Sequence, residues 1–200
     1  MPDLLPTFLN LTGRLVLLVG GGFVAEAKVR QLVAAGARVR VVAPAIAPSV
    51  RAAAFEAIER GFVPADLDDV WFVVAAATPD VNRMVSDAAQ SRRIFVNAVD
   101  DPANATAYLS GVIRRADVTI AISTSGDAPA LTSLVREGLD ALLPRELDDW
   151  MTVAREERAA WRAGAVAMGQ RKPKLLRALN ELYERDRVDA ESYDREVGSR

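Results

Sequence analysis

Residues Arg14 to Ala25 read Arg-Leu-Val-Leu-Leu-Val-Gly-Gly-Gly-Phe-Val-Ala, and the change of pattern at Gly20 decides the fold. The run Arg14 to Val19 is short, continuous and apolar, as expected of a strand buried on both faces. Gly20, Gly21 and Gly22 make a turn, and Phe23 to Ala35 then reads as a helix, with Val24, Lys28 and Leu32 at four-residue spacing and Gly36 as its stop. Gly20, Gly22 and Ala25 match G-x-G-x-x-[GA] at a strand-to-helix junction. There the first glycine permits the tight turn, the second lets a pyrophosphate approach the backbone, and the small third residue lets helix and strand pack closely. The amides of Gly21, Gly22, Phe23 and Val24 at the helix start supply an anion site.

Working outward, β-branched runs alternate with helical patterns up to about Ile122. Arg38 to Ala43 is a second strand stopped by Pro44, an Ala-rich helix covers Ser49 to Arg60, and Phe62 and Val63 begin a weak third strand. Trp71 to Ala77 is a fourth strand, Asp80 to Ser91 a helix and Ile94 to Val99 a fifth strand. This βαβαβ-αβ order predicts an α/β fold with a Rossmann-type parallel sheet. Val118 to Ser123 is a further strand, but no crossover helix precedes it, so the chain leaves the first sheet near Asp100. Ala130 to Leu143 is amphipathic, with Leu131, Leu134, Val135, Leu139 and Leu142 on one side. Leu147 to Glu184 reads as two or three charged helices, with an apolar stripe at Leu175, Leu176, Leu179 and Leu182, and the residues from about Val188 to Arg200 are polar enough to fray.

Two elements of the nucleotide site need more than the glycines. At the end of the second strand stand Ala43 and Pro44, with no acidic residue for ribose hydroxyls and no arginine just after the strand, so the residues leave NAD and NADP undistinguished. Arg38 and Arg40 line that strand's exposed edge. Ala76 and Thr78 end the fourth strand, where small residues admit a cofactor and Thr78 can either bond it or cap the next helix.

Composition narrows the chemistry. The chain of 200 residues has neither cysteine nor histidine, which removes thiolate catalysis, disulfides and the commonest general base, and leaves carboxylates, hydroxyls, Lys and Tyr for proton transfer. A net charge of -2 with mixed signs throughout offers no footprint for nucleic acid or an anionic membrane. No basic leader precedes an apolar stretch and no run approaches a membrane span, so a cytoplasmic protein is expected.

The set Gly20 to Ala25 with Lys28, then Ala76-Ala77-Thr78, then Val96 to Pro102, then Thr119 to Gly126 resembles the precorrin-2 dehydrogenases, including the bifunctional dehydrogenase/ferrochelatases and the N-terminal module of sirohaem synthase. Four motifs in the family's order and spacing cover about Leu4 to Leu147. The resemblance implies an NAD-binding Rossmann domain (1–110), a mixed α/β dimerisation region (111–146) in which two chains intertwine, and a small helical C-terminal domain (147–200). It implies NAD-dependent oxidation of precorrin-2 to sirohydrochlorin, with ferrous iron insertion in some members. It puts the catalytic aspartate at Asp100 and substrate contacts at Asn97, the Ser123-Thr124-Ser125-Gly126 loop and Arg115. No dedicated metal ligands are assigned.

Departures stand at Ala27 (an arginine in relatives), Ser110 (a proline) and Thr124 (a serine), none of them at Asp100 or the glycines. No methyltransferase domain is attached, so methylation is expected of another protein. Without the resemblance, Asp100 and Asp101 read as turn caps ahead of Pro102 and the Ser123–Ser125 hydroxyls as helix caps. The substrate's eight carboxylates call for arginines, of which Arg92, Arg93, Arg114, Arg115 and Arg136 are candidates, each equally readable as a solvated surface charge. The competing reading of the whole chain is a non-enzymatic NAD-sensing regulatory module.

Overall fold

A five-stranded parallel sheet in the order β3-β2-β1-β4-β5 is the centre of the computed structural model, which describes residues 4–126 and 128–197. The strands are β1 (Leu15–Val19), β2 (Arg38–Ala43), β3 (Glu56–Glu59), β4 (Phe72–Ala75) and β5 (Phe95–Ala98). Between them lie α1 (Phe23–Ala34), α2 (Pro48–Ala53) and α3 (Pro79–Ser91). The order reverses after β1, which makes the carboxyl ends of β1 and β4 the switch point where ligands bind in such sheets.

The pleat explains why β1 is apolar throughout. Val16 and Leu18 face α1 and α2, whereas Leu17 and Val19 face α3, and all four are buried. Each such side chain contributes about 1.5–3 kcal/mol of transfer free energy. Helix α1 turns Ala25, Val29 and Leu32 to the sheet, so of the Val24-Lys28-Leu32 row Leu32 alone is buried, and the small Ala25 permits close approach at the turn.

The stretch Ser49 to Arg60 is not one helix. α2 stops at Ala53 and β3 begins at Glu56, where the register sets Arg40 opposite Glu56, with Arg40 Nε donating to Glu56 Oε2 at 2.7 Å. Alanine-rich local propensity yields here to pairing against β2. β2 is therefore an interior strand and its arginines do not line an edge: Arg38 lies over the ring of Phe55, 4.0 Å from the centroid. Phe62 and Val63 form no strand, and a 3-10 turn at Pro64–Leu67 follows them. In it Asp66 accepts from both terminal nitrogens of Arg60 and from the Val63 amide.

After β5 come a short 3-10 turn (Pro102–Asn104), β6 (Gly111–Arg115) and β7 (Val118–Ile122), which pair as a separate two-stranded sheet. Three helices follow: α4 (Pro129–Leu142), α5 (Leu147–Ala163) and α6 (Met168–Val197). α6 stays helical past Val188, where fraying was expected; residues 198–200 lie outside the described ones. The chain divides into two units, Met1–Gly111 with Ile122–Leu134, and Val112–Ala121 with Val135–Arg200. In the second unit α5 packs on α6, and Trp150 Nε1 donates to Tyr183 Oη at 2.8 Å. No helix of the described residues is long and apolar enough to cross a membrane.

Candidate active site

Gly20 sits at φ 130, a conformation that side chains resist, and a Cβ placed there would stand 2.3 Å from the Ala76 carbonyl oxygen. The turn thus lies directly against the end of β4, where the Ala76 amide donates to Val19 O at 2.8 Å. Gly21 is closed in by the loop after β2: its Cβ would meet Ala45 O at 2.1 Å, and its carbonyl accepts from the Ala47 amide. Gly22 differs. A Cβ there meets nothing within 4 Å, and as the N-cap of α1 it offers no side chain to the first-turn amides. Unclaimed amides facing open space are what a pyrophosphate requires, so the residues present fit a dinucleotide.

The rest of the carboxyl edge is lined as predicted in part. Ala43 is buried and Pro44 exposed, the latter beginning the loop that closes on Gly21; Phe23 and Val24 are exposed at the start of α1. Thr78 occupies the N-cap of α3 without a side-chain cap bond, so its hydroxyl is not committed to the helix. The turn is held instead by Asn82, whose Oδ1 accepts from the Ala77 amide at 3.1 Å. The sequence did carry that signal, since Asn82 falls on the inward stripe of α3 with Val85, Ser86 and Ala89.

At the end of β5, Asn97 is buried and its Nδ2 donates to Ala107 O at 3.1 Å, while its Oδ1 has no partner. Asp100 is exposed and takes φ 55, an uncommon left-handed conformation for a side-chain-bearing residue. Asp101 occupies the N-cap of the following 3-10 turn without a side-chain cap bond; its carboxylate accepts from Asn104 Nδ2 at 2.8 Å and its carbonyl from the Asn104 amide. Lys28 is half-buried on α1. Burial pushes its ammonium below the ordinary lysine range and Asp100 pulls it partly back.

The Ser123 to Gly126 loop belongs to the same unit as Asp100. Gly126, at φ 86, packs so closely that an added Cβ would stand 3.3 Å from both Pro102 and Tyr108. Ser125 is also left-handed at φ 57, with its amide donating to Ser123 Oγ at 3.1 Å. Thr124 acts as the cap: its Oγ1 accepts from the Ala128 amide and shares a hydrogen bond with Thr132 Oγ1.

Arg115 lies in the second unit with its guanidinium engaged: Nε bonds Asp140 Oδ1 at 3.0 Å and the terminal nitrogens bond the carbonyls of Asp140 and Leu143. That clasp ties β6 to α4. Arg92 pairs with Asp68 and Arg93 follows it at the carboxyl end of α3, near where β5 begins and away from the ligand edge. Arg136 pairs with Glu137. Among the described residues no three metal-ligating side chains gather.

A parallel sheet with a glycine turn and free helix amides at its switch point defines a Rossmann dinucleotide-binding protein. A family model described as "Putative NAD(P)-binding" matches residues 7–111, and the chain belongs to that family, with a nicotinamide dinucleotide as its cofactor. It is 42% identical over 175 residues to siroheme synthase 1 of Aeromonas salmonicida, covering 85% of this chain and 37% of that one. With the siroheme synthase of Citrobacter koseri it is 40% identical over 191 residues, 93% of this chain and 41% of the other. Siroheme synthase 2 of Cronobacter sakazakii is 46% identical over 150 residues, 72% of this chain and 33% of its own. The chain is thus homologous to part of the siroheme synthases and spans two-fifths or less of their length, apart from 41% for the Citrobacter protein. The solved structure named "SirC, precorrin-2 dehydrogenase" shares the fold, with a TM-score of 0.71 at 22% identity over 98% of this chain and 100% of that one.

Proposed function

We propose that this chain is a cytoplasmic, NAD-dependent precorrin-2 dehydrogenase that yields sirohydrochlorin for sirohaem synthesis. The observation that carries the reading is the packing of Gly126 on Pro102 and Tyr108, which brings the serine-rich loop to the segment beginning at Asp100. Kinship with siroheme synthases supports it.

In the reaction, precorrin-2 gives up one hydride and one proton. Bound NAD supplies the hydride acceptor. The protein's share is to hold the tetrapyrrole in register and to receive the proton, and with no histidine in the chain a carboxylate suits that task. Asp100 is the base: the Asp101 carboxylate is already engaged by the Asn104 side chain, whereas Asp100 lies exposed at the end of β5. Asn97 and the hydroxyls and amides of Ser123, Thr124, Ser125 and Gly126 orient the substrate. Arg115 contributes indirectly, as the brace between β6 and α4.

The three-part organisation is carried into the proposal, with residues 111–146 as a homodimer interface and 147–200 as a helical domain. α4 supports the interface, because Leu131, Leu134 and Leu142 are at least half exposed in one chain. To test the function, turnover of precorrin-2 and NAD affinity are compared between wild type and Asp100→Asn. The expected loss in turnover is about 100-fold or more, with NAD affinity unchanged. Equal turnover in the variant would remove Asp100 from the mechanism. Adding ferrous iron to the same samples tests chelation, for which iron is a substrate, and NAD binding with no tetrapyrrole affinity would favour a sensing module.

A further inference from the structure

The carboxyl edge of the sheet runs outward from the glycine turn. β1 ends at that turn, β2 at Ala43 and β3 at Glu59, and the parallel register sets Ala43 directly opposite Glu59. The loop after β2 folds back on the turn, its Ala47 amide donating to Gly21 O at 2.9 Å. In a Rossmann sheet the end of β2 meets the adenosine ribose, and an acidic side chain there binds its hydroxyls. Ala43 has no such group, but a carboxylate stands one strand further out, about 4.8 Å away across the ladder. Its partner lies on α2: Arg51 Nη2 is 2.5 Å from Glu59 Oε1, which draws the carboxylate to the face of the sheet that α1 and α2 cover.

The same neighbourhood leaves no guanidinium free. Arg40 of β2 is bonded to Glu56, and Arg60, next to Glu59 in the chain, is held by Asp66. Arg38 lies at the opposite, amino edge of the sheet, stacked on Phe55.

Resting on the dinucleotide reading of the glycine turn and independent of precorrin-2 oxidation, we propose that Glu59 is the residue that selects NAD over NADP. Its carboxylate replaces the acid absent from β2, accepting from the ribose hydroxyls and repelling a 2′-phosphate, which carries about two negative charges at neutral pH. Arg51 does not offset that repulsion, because Glu59 already engages it. Selectivity of this kind comes from a built-in repulsion as much as from an added contact.

The test measures NAD and NADP affinities of the full chain by equilibrium titration without tetrapyrrole, in wild type, Glu59→Gln, Arg51→Gln and the double variant. Wild type should bind NAD about tenfold or more tighter than NADP. Glu59→Gln removes the repulsion and frees Arg51, so NADP should gain about tenfold or more while NAD weakens. The double variant should lose part of that gain, and Arg51→Gln alone should weaken NADP further. The ion pair is about half exposed, so all three variants should melt close to the wild type.

Equal wild-type affinity for the two cofactors, or an NADP affinity unchanged in Glu59→Gln, would overturn the assignment and leave the nucleotide site standing. A wild type that binds neither cofactor would overturn it together with the dinucleotide reading. The expected binding pattern in a protein that does not oxidise precorrin-2 would support Glu59 and remove only the proposed reaction.

Discussion

Gly20 and Gly22 differ in what a single methyl group would do, and the difference separates folding from binding. At Gly20 the methyl meets the Ala76 carbonyl and the backbone is left-handed, so Gly20→Ala should cost about 1–3 kcal/mol in chemical denaturation and distort the site as well. At Gly22 the methyl enters open space with an ordinary φ of -92, so Gly22→Ala should melt as the wild type does and still weaken NAD about tenfold or more, read by equilibrium titration. Asp66 makes the opposite kind of contribution. Burial alone would raise its carboxyl, but the Arg60 hydrogen bonds and then the Val63 amide outweigh this and hold it below the usual carboxylate range. Its stabilising effect is therefore complete above the unfolded-state value and is lost as pH falls through the lower folded value. Asp66→Ala should cost about 2 kcal/mol near neutrality and flatten the acid limb of the stability profile. Lys28 gives the same pH slope for the opposite reason, because burial disfavours its charged form. Its folded state binds fewer protons than the unfolded chain, so stability rises with pH up to the ordinary lysine range, and Lys28→Met should melt at or above the wild-type temperature.

At the level of elements, β1, α1, β2 and α3 are legible in the sequence because each has one dominant pattern: an apolar run, an inward stripe, or a stop at Gly or Pro. β3 is hidden because a four-residue Glu-Ala-Ile-Glu strand has no alternation to show, and what holds it is the register that sets Glu56 against Arg40. The separate strand β6 is hidden for a related reason: Gly-Val-Ile-Arg-Arg is short and buries Ile113 alone. The glycine turn and Asp100 could be read because motif and family pattern mark them. The clasp of Arg115 on Asp140 could not, since the two residues meet only once β6 and α4 pack together. The amphipathic reading of α4 found a stripe that a single chain leaves uncovered. If a second copy covers it, Leu134→Glu with Leu142→Glu should convert the dimer to a folded monomer in analytical ultracentrifugation. A wild-type protein that sediments as a monomer at micromolar concentration would contradict the interface.

For the molecule as a whole, the Rossmann sheet supplies a nucleotide site at its switch point, and the loop Ser123 to Gly126 packs through Gly126 on Pro102 and Tyr108, in the segment that follows Asp100. Fold alone does not distinguish an enzyme from a sensor. The stoichiometry of the reaction does. Purified protein held without oxygen, so that NAD is the one oxidant present, is given precorrin-2, and NADH and sirohydrochlorin are followed together. The account predicts one NADH for each sirohydrochlorin formed, with neither appearing when NAD is left out. Tight NAD binding with precorrin-2 left intact would contradict it.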